Sequence, residues 1–373
     1  MDFDYVVVPT IVVLIGILVV WLATLRILSL RRRSYPTWRK VTERMVLSLA
    51  ALIAVAIAGI SGFNAIVLRA KKLPGKTYLV NGHGMRIDCR GTGSPTIVLE
   101  AGGGNDGLIW GGVQPVLAKT TRVCSYDRAG YGGSQALPPP RDADHIAVEL
   151  HGLLTAAKVD QPIVLIGHSH GGIYIRDYAT RYPDAIAGLV FVDSSTPLQD
   201  RNPAFKAIDY KRQPQRIEML LERVSFDLGI PRLFGACSGS FPGFDPHAAK
   251  LHAEDRCHEP FGTIASEGES MDRDGEETVH TGPYKALPIL IFSHDSTEVD
   301  RNGQTVDLEK AFNQMQEDLK RLSTCNRRII AKGSGHYVQL DRPELVEKYV
   351  SLFIEQIRGK APALTDSGST TTK

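Results

Sequence analysis

The chain has almost no net charge: 43 Lys and Arg against 41 Asp and Glu leave +2 over 373 residues. That balance gives no whole-chain signature of a nucleic-acid binder, and no nucleic-acid partner is expected. Only five cysteines are present, with no Cys-x-x-Cys pair and no His/Cys cluster, so neither a metal nor a cofactor is expected. The glycine run Gly102-Gly103-Gly104 lacks a following Gly-Lys-Ser/Thr, which argues against a phosphate loop. Basic residues are missing from the extreme N-terminus, where Asp2 and Asp4 stand instead, and no convincing cleavage site follows. A removable signal peptide is therefore not expected. What remains, at 43% hydrophobic content, is enough chain for one large α/β domain and something smaller.

The smaller part comes first. Tyr5 to Leu25 is a near-continuous apolar run, long enough as a helix to cross a hydrocarbon core. Met45 to Ile60, extendable to Leu68, is a second run, and its length without charge argues against a buried soluble helix. Arg26, Arg31, Arg32, Arg33, Arg39, Lys40 and Arg44 lie between the runs, opposed only by Glu43. The positive-inside rule places that loop in the cytoplasm, and the N-terminus and everything after Leu68 on the far side. Arg69, Lys71, Lys72 and Lys76 pull the other way. The expectation is a multi-pass membrane protein with two helices, about 5–25 and 45–68 within a segment 1–72, and an extracytoplasmic body. Disulfides persist in such a compartment. Cys237 with Cys257 is one plausible bridge and Cys89 with Cys124 another, leaving Cys325 over.

From Thr77 onward, strands and helices alternate. Thr77–Val80, Met85–Cys89, Thr96–Glu100, Arg122–Tyr126, Ile163–Ile166, Ala187–Asp193, Pro288–Phe292 and Arg328–Ala331 read as strands. Helical stretches follow most of them, which predicts a mainly parallel sheet with helices on both faces. Between Ser194 and Leu287 the beat is lost. Roughly ninety Pro-, Gly- and charge-rich residues are too many for a simple connection, so a cap insertion is expected at about 195–286. Its acidic stretch, Glu267 to Glu277, reads as a solvated face. The tail 360–373 is small and polar and is expected to be disordered.

One stretch organises the chemistry. The buried-strand pattern Ile163-Val164-Leu165-Ile166 runs into Gly167-His168-Ser169-His170-Gly171 and then into a helical stretch. Gly-x-Ser-x-Gly alone arises by chance in roughly one chain of this size in eight. The strand before it and the helix after it are what mark Ser169 as a nucleophile on a tight, strained turn. A serine hydroxyl needs a base, and the base needs a carboxylate to fix its tautomer. Among eleven histidines, His336 lies on a glycine-flanked loop after the last strand. Asp295 is the preferred acid and Asp193 the alternative. Backbone amides of Gly103 and of His170 are the expected oxyanion donors. Asp127 and Arg128 read as a loop-fixing pair, His168 as an elbow residue whose side chain points away from the nucleophile, and His294 as a loop residue.

At these residues the chain resembles the α/β-hydrolases, of the type with one large domain plus a cap. Asp127-Arg128-Ala129-Gly130-Tyr131-Gly132-Gly133-Ser134 is similar to the family's Asp-Arg-x-Gly-x-Gly-x-Ser segment, Gly167–Gly172 to its nucleophile elbow, and Gly335-His336 with Leu340–Val346 to its histidine segment. The resemblance spans about 77–359 of a domain set at 73–359. Two departures stand out: Ala101-Gly102 replaces the family's usual His-Gly, and Asp295 lies closer to its strand than the family's acid usually does. The resemblance implies a serine hydrolase acting on a small-molecule carboxylic ester or related acyl compound through an acyl-enzyme. Use of the same triad on amide, peptide or C–C bonds or in acyl transfer, and a non-catalytic hydrolase-like binding module at the membrane, are the alternatives.

Overall fold

The computed structural model describes residues 3–70, 72–197, 199–205, 216–238, 244, 246–255, 260–295 and 307–362. The expected tail therefore lies, from 363 on, outside the described residues. The chain divides into two compact units.

The larger unit is built on an eight-stranded sheet in the order β1-β2-β4-β3-β5-β6-β7-β8. In chain order these are β1 Lys76–Val80, β2 His83–Arg90, β3 Thr96–Glu100, β4 Val123–Tyr126, β5 Ile163–His168, β6 Ile186–Val192, β7 Ile289–His294 and β8 Asn326–Ala331. β1 and β2 pair antiparallel, β2 joins β4 antiparallel, and the other pairings are parallel. All the predicted strands form. Parallel strands covered on both faces need apolar residues at every position, and β5 is buried throughout. Its side chains alternate: Ile163 and Leu165 join one apolar cluster, Val164 and Ile166 the other. The terminal helix Pro343–Ile357 covers the second cluster with Val346, Val350, Phe353 and Ile354. Cys89 and Cys124 face each other across β2 and β4 and are joined as a disulfide. Cys325 is free, and Cys257, the suggested partner of Cys237, lies outside the described residues.

The smaller unit holds two long helices, Phe3–Arg31 and Thr37–Ala70. Both contain stretches long and apolar enough to cross a membrane, Pro9–Arg31 and Thr37–Val67. They approach closely at Gly16, where a Cβ would come within 3.0 Å of the Ala58 methyl. Glu43, the lone acid among the basic residues, pairs with Arg26 at 2.5 Å. Part of the expected cap insertion also belongs here, including the Arg216–Asp227 helix and the Ile230–Leu233 turn. Arg232 joins them to the second long helix, its Nε donating to Asn64 Oδ1 at 3.0 Å.

Candidate active site

Three side chains converge at the carboxyl ends of the parallel strands. Ser169 follows β5 with φ of +51°, a left-handed conformation that costs free energy for any residue with a Cβ. Close packing holds it there. A Cβ at Gly167 would lie 2.6 Å from the Gly171 carbonyl oxygen, and one at Gly172 would lie 2.4 Å from Ser194 Cβ. The Ser169 amide donates to the Val192 carbonyl at 3.1 Å, tying the turn to the end of β6. His336 arrives on the loop after β8. Its Nε2 lies 3.0 Å from Ser169 Oγ, and its Nδ1 lies 2.7 Å from Asp193 Oδ2. His168 supports that loop from beneath, with Nε2 3.1 Å from the His336 carbonyl oxygen. Burial, with the nearby His336, drops the His168 imidazole to about 3, so it is neutral.

The carboxylate that meets His336 is that of Asp193, not of the preferred Asp295. Asp193 follows β6, the strand adjacent to β5, and is fully buried with φ of +47°. At the end of β7 the position facing the site is filled by His294. Its backbone amide donates to Asp193 Oδ1 at 2.8 Å, and its Nδ1 lies 2.8 Å from Oδ2. The strand therefore delivers an imidazole where the acid was expected. Burial alone would raise the Asp193 carboxyl, but its bonds to His294 and His336 outweigh this and lower it, so it is ionised.

The two expected oxyanion donors also lie at this end. His170 is the N-cap residue of the Gly171–Arg181 helix, so its amide stands at the positive end of the helix dipole. Gly102 packs against the nucleophile: a Cβ there would come within 3.0 Å of Ser169 Cβ. Gly103, next along, has open space where a side chain would project. Arg128 provides the loop order that a histidine at position 101 would have given. Its Nη1 donates to the Ala101 carbonyl at 2.7 Å and its Nη2 to the Gly102 carbonyl at 2.9 Å. Arg128 and Asp127 do not pair with each other. Asp127 is bonded to Arg86 and to the amides of Gly107 and Gly133. Arg128 is bonded to Glu100 and Glu267 at 2.8 Å each.

Glu267 corrects a second expectation. The acidic stretch is a solvated face only in part: on the Phe261–Thr278 helix Glu269, Asp272, Glu276 and Glu277 are exposed, but Glu267 and Asp274 turn inward and are buried. Asp274 Oδ1 accepts from the Ala143 amide at 2.8 Å, and Oδ2 lies 3.3 Å from His170 Nε2. The His170 imidazole thus has a partner of its own. Sequence reasoning missed His294, Glu267 and Asp274 as site residues. A helical 3.6-residue reading of 261–278 would have put Glu267, Ser270 and Asp274 on one face.

Residues 97–348 match the model of the alpha/beta hydrolase family, and the chain belongs to that family. It is 26% identical over 302 residues to an AB hydrolase superfamily protein of Gibberella zeae, covering 71% of this chain and 87% of that one. It is also 27% identical over 321 residues to a protein of Hormonema carpetanum named as a probable transporter, covering 75% of this chain. This chain spans only 42% of that protein's length. Among solved structures, potato (Solanum tuberosum) epoxide hydrolase I superposes with a TM-score of 0.58 at 17% identity, covering 76% of this chain and all of that one. A serine hydrolase involved in carbazole degradation gives 0.51 at 18% identity, covering 75% and 98%. At these identities the structural likeness concerns the fold.

Proposed function

We propose that the chain is a membrane-anchored serine hydrolase that cleaves a small-molecule carboxylic ester or related acyl substrate. One observation carries the reading: Ser169 Oγ, His336 and Asp193 form a continuous hydrogen-bonded line, with contacts of 3.0 and 2.7 Å. In this scheme Ser169 Oγ attacks the acyl carbon while His336 Nε2 takes its proton. The amides of Gly103 and His170 receive the developing oxyanion. Collapse expels the alcohol, which leaves with the proton from His336. Water then attacks the acyl-enzyme by the same route, and the acid departs.

A serine nucleophile also favours acyl chemistry over attack on an epoxide, the substrate class named for the potato structural neighbour. Attack by Ser169 at a saturated carbon would leave an alkyl ether with no carbonyl for water to attack. Two apolar helices and the arginine-rich segment between them support anchoring with that segment in the cytoplasm and the body on the other side. The test is fluorophosphonate labelling of the full chain. Wild type should label on one serine, and Ser169→Ala should lose the label while unfolding at an unchanged temperature. Labelling that survives the substitution sinks the assignment. A panel of esters, amides and acyl acceptors then separates hydrolysis of esters from the other uses of the same line.

A further inference from the structure

The line of hydrogen bonds does not stop at Asp193. His294 Nδ1 lies 2.9 and 2.8 Å from the two oxygens of that carboxylate, and its Nε2 lies 2.8 Å from Glu309 Oε2. We propose that His294 and Glu309 extend the site into a five-membered chain, Ser169–His336–Asp193–His294–Glu309, in which a cationic His294 is a positioning residue that sets the basicity of His336. The proposal rests on the serine hydrolase reading and concerns regulation of that same site.

The geometry decides the protonation pattern. An imidazole with a carboxylate oxygen 2.8 Å from each ring nitrogen has acceptors on both sides, so both nitrogens carry protons. Burial works against that charge, but the hydrogen bonds to Asp193 and Glu309 and their charges overcome it and raise His294 to about 9. His294 and Glu309 are both largely buried, each with about 12% of its side chain exposed, so water screens the pair little. Asp193 Oδ2 is consequently shared between two ring N–H groups, and Oδ1 takes the His294 amide.

β6 supplies Asp193, and the His336 loop supplies the second imidazole. The Asp307–Asp318 helix supplies Glu309 and the apolar ring of Phe312, with centroids 4.9 Å apart. From β8, Arg328 is directed to the Ser293 hydroxyl and to Asn313 and Glu317. Asp295 follows His294 in the chain. The cluster of Asp193, His294 and Glu309 thus carries one net negative charge, which offsets the positive charge that His336 gains as it takes the serine proton.

Two substitutions should move His336 in opposite directions. His294→Gln keeps an N–H donor toward Asp193 but removes a positive charge, so His336 becomes more basic. Glu309→Gln removes a negative charge while Asp193 keeps His294 cationic, so His336 becomes less basic. A charge within about 4–6 Å typically moves a neighbour's titration by about one pH unit or more, and Glu309, linked to His336 only through His294 and Asp193, acts from further away and moves it less. The experiment measures the rate constant of fluorophosphonate labelling against pH, on full chains in detergent with unfolding temperatures recorded. The expected result is an acid limb about one unit higher for His294→Gln and lower for Glu309→Gln. A purely structural role would lower the plateau without moving the limb, or move both limbs together, and either result overturns the proposal. If His294→Gln does not fold, a Glu309→Gln limb that is not lowered is sufficient to overturn it. Failure of the wild type to label at Ser169 would instead defeat the hydrolase reading itself.

Discussion

Arg128→Met is the most revealing perturbation, because one guanidinium joins the Phe261–Thr278 helix, the sheet and the glycine loop. Arg128 is buried and makes five hydrogen bonds: to Glu100 Oε1, to both oxygens of Glu267, and to the carbonyls of Ala101 and Gly102. Methionine matches much of its volume but leaves Glu100 and Glu267 without their cationic partner, each keeping only a tyrosine hydroxyl, from Tyr126 and Tyr131, and takes the guanidinium donors from the Ala101 and Gly102 carbonyls. Removing one partner of a buried ionic cluster costs about 3–5 kcal/mol. For a domain this size that lowers the unfolding temperature by roughly 6–20 °C. Glu100 carries part of the strain already. Burial, only partly countered by Arg128 and Tyr126, raises its carboxyl to about 7. Charge is therefore only one of two effects to separate. In the triple variant Arg128→Met with Glu100→Gln and Glu267→Gln the stranded charges are gone, and most of the lost stability should return. The glycine loop should remain unclamped, because the guanidinium no longer ties the Ala101 and Gly102 carbonyls to the sheet and helix; the Asn105 amide that still reaches Gly102 belongs to the loop itself. A misplacement near 1 Å costs about 100-fold in rate. Differential scanning fluorimetry and the fluorophosphonate labelling rate read the two effects independently. The reasoning fails if the triple variant labels Ser169 as fast as wild type, or if Arg128→Met unfolds at the wild-type temperature.

Asp193→Asn should slow labelling of Ser169 by about 10⁴-fold, as expected when the base loses the group that fixes its tautomer. Asp295→Asn should change the rate by less than threefold, and the reverse order would return the acid to β7. Gly172→Ala places a methyl 2.4 Å from Ser194 Cβ, against a packed core that cannot yield. A loss of about 1–3 kcal/mol is expected in chemical denaturation, accompanied by slower labelling; stability equal to wild type would show that the elbow has slack.

Most of the framework was legible because it is written in local patterns. β5 is apolar at every core position, so a strand buried on both faces was predictable without knowing its neighbours. Ser169 was legible through flanking glycines that the turn requires for reasons of contact, at Gly167 and Gly172. His336 followed from its place after the last strand. The acid was not legible, because both candidates end strands that reach the same edge. What separates them is that β6 lies directly beside β5 and that His294 fills the inward place on β7. Glu267 and Asp274 were misread for a related reason. Acidic residues in a helix without a strongly apolar face read as exposed, and only distant partners such as Arg128 and the Ala143 amide show them to be interior.

The Phe261–Thr278 helix fastens to the body at three points, two of them at the site: Glu267 to the arginine holding the glycine loop, Asp274 to His170, and Ser266 to the Arg141 amide. A roof bolted to the anion cradle cannot be raised without loosening the cradle. On the proposed hydrolase reading, swinging this helix aside to admit a bulky guest would also disturb the loop and the helix end that carry the expected donor amides.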